Sequence, residues 1–155
     1  MTPDEIFMKA ALKEAEKAAA EGEVPIGCVI VKDGKIIARG RNAREKKKNA
    51  LLHAEIIAID KACRRLSGWR LPGCQMYVTL EPCPMCGGAI INSRIEKVFV
   101  AAKDPKAGAM GSVLALQDYP FNHKPEITFG LMEEESKTLL QSFFQKLRNH
   151  KNKTE

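Results

Sequence analysis

His53-Ala54-Glu55 and Pro82-Cys83-Pro84-Met85-Cys86, with 26 residues between them, decide how this chain reads. Together they offer one imidazole and two thiols as ligands, and one carboxylate that the ligand set does not need. Zn²⁺ is borderline soft and takes N and S donors in a tetrahedron. Three protein donors leave the fourth position to water, the pattern of a catalytic rather than a structural site. Zinc in such a site brings the pKa of a water towards neutrality, and a carboxylate two residues from the ligating His is placed to move protons. Spacing alone admits iron as well as zinc. A Cys-x-x-Cys by itself also fits a redox pair or half of a structural zinc site. The His-x-Glu partner and Pro82 before the first Cys weigh against both.

The 155 residues suffice for one domain with a real core and are too few for two comfortable ones. A hydrophobic content of 45% and a charged content of 28% are those of an ordinary globular protein. The net charge of +6 permits an anionic partner, nucleic acid included, although a solvated lysine-rich surface accounts for it equally well. The N-terminus lacks the apolar core of a signal peptide, and no stretch approaches the length of a membrane span. Five cysteines, two of them assigned to metal, fit a reduced cytoplasmic protein.

Thr2-Pro3-Asp4-Glu5 reads as a capping box opening a helix whose apolar side is Ile6, Phe7, Ala10, Ala11, Ala15 and Ala18 and which ends at Gly22. Residues 24–31 and 35–39 flank Asp33-Gly34, a strong hairpin signal. Residues 41–49 are polar and basic, either a solvated loop or a rim facing phosphates. Asn42 follows a strand end, and its amide carries both donor and acceptor for a base edge. Residues 51–66 carry helical spacing, with Leu52, Ile56, Ile59 and Cys63 near one face and His53 and Glu55 in the first turn. Residues 75–80 form a third strand. Cys83 and Cys86, three apart, then share one side of a helix start. A fourth strand over 95–101 completes a right-handed crossover, so strands three and four are expected to be parallel. A Gly/Ala loop at 104–111, a helical turn at 113–116, an edge strand at 126–129 and a closing helix at 133–147 follow. Residues 150–155 read as a polar tail beyond a single domain over 1–149. Cys28 and Cys63 are expected in the core.

His-x-Glu followed by Pro-Cys-x-x-Cys is the signature of zinc nucleobase deaminases. Val24-Pro25-Ile26-Gly27, the two metal stretches with Thr79-Leu80-Glu81 before the second, the stretch from Lys103 to Ser112, and Asn122-His123 resemble the tRNA-specific adenosine deaminase family of the cytidine-deaminase-like superfamily. The likeness covers nearly the whole chain. The metal motif belongs to the superfamily; residues 104–112 and Asn122-His123 look specific to the tRNA branch. The resemblance implies an α/β protein, a three-layer α/β/α cytidine deaminase-like fold with a mixed five-stranded central sheet, and a homodimer. It implies hydrolytic deamination of adenosine to inosine at the wobble position of a tRNA anticodon stem-loop, with an arginine tRNA as the expected carrier. By resemblance, His53, Cys83 and Cys86 bind one Zn²⁺ per chain and Glu55 is catalytic. Asn42, Ala54, Asp104, Lys106, Asn122 and His123 line the pocket or hold neighbouring nucleotides. One stretch departs from the family: Asn49-Ala50-Leu51-Leu52 stands where an Asp-Pro and small residues are common, which touches the pocket rim and not the ligands.

Two rivals stay open at this level. A free-base or nucleoside deaminase shares the same zinc motif. A zinc-stabilised RNA-binding module without catalysis needs a fourth protein ligand, for which Cys74 is the candidate, and leaves Glu55 without a task.

Overall fold

The structure is a computed structural model; it describes residues 1–154, the side chains of the last two of these excepted. Five strands form one mixed sheet: β1 (Gly27–Lys32), β2 (Lys35–Arg41), β3 (Cys74–Leu80), β4 (Lys97–Ala102) and β5 (Glu126–Phe129), in the order β2-β1-β3-β4-β5. β1 is antiparallel to both β2 and β3, whereas β3, β4 and β5 run parallel. The β1–β2 hairpin turns on Asp33 and Gly34, both with positive φ, as a two-residue turn matched to strand twist requires.

Both faces of the sheet are buried, and the period-2 alternation of the strands divides the core. Cys28, Ile30, Met76, Val78, Val98 and Val100 face α3 (Ala54–Leu66) and α4 (Pro84–Ser93). Val29, Val31, Tyr77 and Ala101 face the other way, towards Met8 and Ala11 of α1 (Pro3–Ala20) and towards Leu131 and Met132, which lead into α5 (Glu133–Thr154). The fold is thus the three-layer α/β/α arrangement expected.

Several local expectations are corrected. On α1 the capping box forms as read, but Ile6 is exposed and Met8 and Leu12 join the alanines in the core. Residues 41–49 are not a plain loop. A four-residue helix, α2 (Arg44–Lys47), lies within them, and the buried carboxylate of Glu23 accepts the N–H groups of Glu45 and Lys46 at its start. In the same segment Arg41 and Lys46 are paired with Glu21, so part of the basic run is neutralised. The buried side of α3 is Ala54, Ala58 and Ala62, with Ile59 and Cys63 only partly covered and Ile56 facing outward into a groove. The helical turn expected at 113–116 lies at Leu116–Asp118. Residues 150–154 of the stretch read as a polar tail are helical, as the end of α5, and Glu155 lies outside the described residues.

Small residues on α3 allow its backbone to touch the sheet. A Cβ on Gly40 would stand 2.2 Å from the carbonyl oxygen of Ala54, a backbone atom that cannot swing away. Gly40→Ala is expected to push the start of α3 off β2 and to cost about 3 kcal/mol, at the upper end of ordinary overpacking, measured by urea unfolding. An unchanged midpoint would show that α3 tolerates the displacement.

Candidate active site

The antiparallel and parallel ladders bring four chain segments to one edge of the sheet. Gly27 pairs with Arg41, Cys28 with Val78, and Leu80 with Ala102. The residues just beyond β2, β3 and β4 therefore meet there, beside the N-termini of α3 and α4. His53 is the N-cap of α3 and Cys83 the N-cap of α4, with Pro84 in the first turn. His53 thus precedes the first turn in which it was expected. Neither cap side chain bonds to its own helix, which leaves both free as ligands. Cys86 lies one turn into α4, so it returns to the side on which Cys83 stands.

The donor atoms of His53, Cys83 and Cys86 all lie within 4.8 Å of one another. Nδ1 of His53 is 3.6 Å from Sγ of Cys83 and 3.5 Å from Sγ of Cys86. An N and an S donor on one tetrahedral Zn²⁺ stand about 3.6 Å apart, given bond lengths of about 2.05 and 2.3 Å. The residues fit zinc in donor type and in spacing. Cys74 is not among them. It opens β3 at the far end of the strand, buried in the core, with its thiol directed to the carbonyl of Pro72. The four-ligand reading therefore loses its candidate.

The three ligands are electrostatically bound to each other. The hydrogen bond from the Cys86 thiol, followed by that from His53, holds Cys83 down to about 4. Donating to Cys83 pushes Cys86 up, and burial adds to it. The bond to Cys83 also raises His53, against its partial burial. Glu55 is 4% exposed, and burial pushes its carboxyl up to about 7. A carboxyl in that range can both take up and release a proton near neutral pH.

Beside the ligands lies a cavity of about 470 Å³ lined by Asn42, Arg44, His53, Lys103, Asp104, Pro105 and Lys106, with Val24, Ile26, Leu80, Leu140 and Phe144 as apolar wall. Asn42 is buried, accepting from the N–H of Arg44. Four sequence-predicted residues, Asn42, His53, Asp104 and Lys106, thus share one cavity. Ala54 is buried at the start of α3. Two residues lie elsewhere. Asn122 lines a separate apolar groove, and Nε2 of His123 is 2.6 Å from the carbonyl oxygen of Ile95, ahead of β4 and so at the other end of that strand.

Residues 1–102 match the family model described as the cytidine and deoxycytidylate deaminase zinc-binding region. The chain is 52% identical over 152 residues to the tRNA-specific adenosine deaminase of Bacillus subtilis (strain 168), covering 97% of this chain and 94% of that protein. The chain belongs to the tRNA-specific adenosine deaminase family. A solved structure from studies of A-to-I editing by tRNA:A34 deaminases at the wobble position of transfer RNA superposes with a TM-score of 0.84 at 45% identity, covering 86% of this chain and 98% of that one. The guanine deaminase from Nitrosomonas europaea shares the fold more distantly, with a TM-score of 0.76 at 25% identity over 90% of this chain and 83% of that one.

The wall of this cavity holds residues that sequence reasoning did not single out. Leu140 and Phe144 of α5, a helix read above only by its span, line the cavity; their i, i+4 spacing was the available signal. Arg44 and Lys103 add positive charge to the rim. Glu81, quoted only as part of a motif, is a buried carboxylate at a strand end. A buried carboxylate has to be paired, and that was the signal for it.

Cys83→Ala is expected to abolish zinc binding, because two donors remain of three, while Cys74→Ala keeps one zinc per chain. Metal content of the purified variants by plasma mass spectrometry checks both. Zinc lost from Cys74→Ala would restore the four-ligand reading.

Proposed function

We propose that this chain hydrolyses adenosine to inosine at the wobble position of a tRNA anticodon loop, releasing ammonia, with a single domain over residues 1–149 carrying the activity. The reading is carried by a three-donor metal site with a buried carboxylate two residues from its histidine, in a chain 52% identical to a tRNA-specific adenosine deaminase. When bound, zinc acidifies water and so supplies the nucleophile. Glu55 takes one proton of the water and passes it to the ring nitrogen next to C6, then takes the second, from the hydroxyl now on C6, and passes it to the departing amine, so that the C–N bond breaks and ammonia leaves with both water protons placed. Asn42 reads the base edge through its amide, Asp104 and Lys106 hold the target and its neighbours, and Ala54 offers a backbone N–H at the positive end of α3. A single-stranded loop suits such a site because its base splays out at low cost. Arg44, Lys103 and Lys106 around the cavity favour a polyanionic strand over an uncharged free base.

The carrier we assign is an arginine tRNA, and the compartment is the cytoplasm. No helix among the described residues is long and apolar enough to cross a membrane. The working unit is a homodimer. An open apolar groove of about 710 Å³ runs along α4 between Leu51, Ile56, Met85, Leu116 and Phe121. Leu51 and Phe121 are more than half exposed there, and such a patch on one chain favours association. Leu51 belongs to the segment that departs from the family pattern, and Asn122 lines the same groove. On this reading Asn122 serves the face between copies.

The zinc-loaded protein, offered an arginine tRNA anticodon stem-loop beside free adenosine, guanine and cytosine, is expected to form inosine at the wobble position alone. Turnover of guanine with the RNA untouched would overturn the assignment and retain the zinc chemistry. Glu55→Ala should keep its zinc and lose about a thousandfold in turnover, read by the same assay with metal analysis. Leu51→Asp and Phe121→Asp are each expected to shift the protein to monomer in sedimentation velocity; a monomeric wild type would remove the dimer from the proposal.

A further inference from the structure

Glu81 stands two residues before Cys83, between the end of β3 and the start of α4, and is 3% exposed. Its carboxylate accepts four hydrogen bonds, all from one loop. Oε1 takes the N–H of Asp104 at 3.0 Å and the hydroxyl of Ser112 at 2.5 Å. Oε2 takes the N–H groups of Met110 at 3.1 Å and Ser112 at 3.0 Å. The loop is pressed against that carboxylate: a Cβ on Gly108 would stand 2.3 Å from it. The N–H of Ala109 donates to the carbonyl of Pro82 at 2.9 Å. Further along, a Cβ on Gly87 of α4 would meet Leu116 at 2.9 Å and Met110 at 3.0 Å. Residues 81–87, the segment that carries both thiol ligands, are therefore the bed on which the loop lies.

The same loop brings Asp104 and Lys106 to the cavity. Asp104 has one oxygen committed within the loop, accepting the N–H groups of Lys106 at 3.0 Å and Ala107 at 3.2 Å. The position of both cavity residues thus follows from where Glu81 holds the loop. Four donors converging on one buried group call for an acceptor-only side chain with two oxygens, which a carboxylate is and an amide is not. Bonds to a charged acceptor are also about twice as strong as neutral ones.

We propose that Glu81 is a positioning residue for the substrate. It sets the distance between the metal ligands and the nucleotide-holding loop, so that the base reaches the metal site in register. This rests on the reading of the cavity as the nucleotide site. A carboxylate that merely stabilised the fold would lower the melting temperature without separating KM from kcat. One that positions the loop acts chiefly on KM, because the ligands and Glu55 stay in place.

The test is Glu81→Gln, with Ser112→Ala as the milder variant that removes one hydroxyl donor and keeps the backbone bonds. Each is measured for zinc content, for KM and kcat on the anticodon stem-loop, and for amide hydrogen exchange across residues 104–112. Glu81→Gln is expected to keep its zinc, to raise KM about tenfold or more with kcat within about threefold, and to exchange faster at Asp104, Met110 and Ser112. Ser112→Ala should move KM in the same direction by less, and it carries the test if Glu81→Gln does not fold. An unchanged KM in the folded variants, or loss of zinc together with activity, would overturn the proposal. Should the wild type ignore RNA and turn over a free base, the proposed substrate fails while this inference is still read: the same KM rise on that base with faster loop exchange supports it, and unchanged exchange overturns it.

Discussion

One nitrogen and two sulfurs, contributed by residues 53, 83 and 86, have to fall within a single coordination sphere. Much else in the fold follows from that requirement. The two helix starts that carry the donors must lie side by side on one face of the sheet, with both N-termini at the same edge. Parallel pairing of β3 and β4 through α4 supplies one of them. The antiparallel hairpin of β1 and β2 returns the chain to the same edge before α3. Bulky residues at the contacts would separate the donors, and the chain has small ones there. Ala54, Ala58 and Ala62 meet the sheet on α3, with Gly40 opposite Ala54, and Gly87 lets the loop close over α4. Cys83 then stands at the positive end of α4, which favours its thiolate form.

Burial of four glutamates separates structure from chemistry. Glu14 pairs with Lys17 and Arg41. Glu23 caps α2 from a distance, and Glu81 gathers a loop. Each of these three has both carboxylate oxygens bonded to donors. Glu55 instead lies among the thiol and imidazole groups of Cys83, Cys86 and His53, with its own backbone N–H as a further donor. Among buried carboxylates it is the one whose surroundings leave room for a proton to come and go. The division explains why a chain with so many buried acids carries a single candidate for general acid and base.

The sheet and the metal ligands were legible in the sequence because both are written in short-range patterns. Asp33-Gly34 fixes a hairpin, Pro84 marks a helix start, and His53, Cys83 and Cys86 are recognisable by type and interval. The edge strand at 126–129 appears at the residues expected. What failed did so for reasons of packing. Periodicity gave α3 an isoleucine face, but contact with Gly40 of β2 requires the alanine face instead. The run 41–49, read as a solvated loop or a rim facing phosphates, hid a short helix because its cap is Glu23, a residue some twenty positions earlier, so no local signal existed. Leu140 and Phe144 read only as apolar positions of a helix, and only the placement of α5 beside Lys106 turns them towards the cavity. Asn122 and His123, assigned to the substrate by resemblance, lie outside this cavity, at the apolar groove and beside Ile95.

The boundary of the family-model match bears on how substrate choice is built. The match covers residues 1–102 and so contains every metal ligand and Glu55. Much of the cavity rim comes after it: Lys103, Asp104, Pro105 and Lys106 in the loop held by Glu81, and Leu140 and Phe144 on α5. A guanine deaminase shares the fold at 25% identity, whereas a tRNA:A34 deaminase superposes at 45%. The metal site thus lies in the first two thirds of the chain and much of the cavity rim in the last third. Asn42 and Arg44 are the exceptions, reaching the rim from the first part. Such a division lets one metal centre serve many bases, provided that the later segments are held rigidly against it. Glu81 sits at the join, its backbone continuous with the cysteine ligands and its side chain bonded to the rim. Where Asp104 and Lys106 stand relative to the metal site therefore follows from that contact.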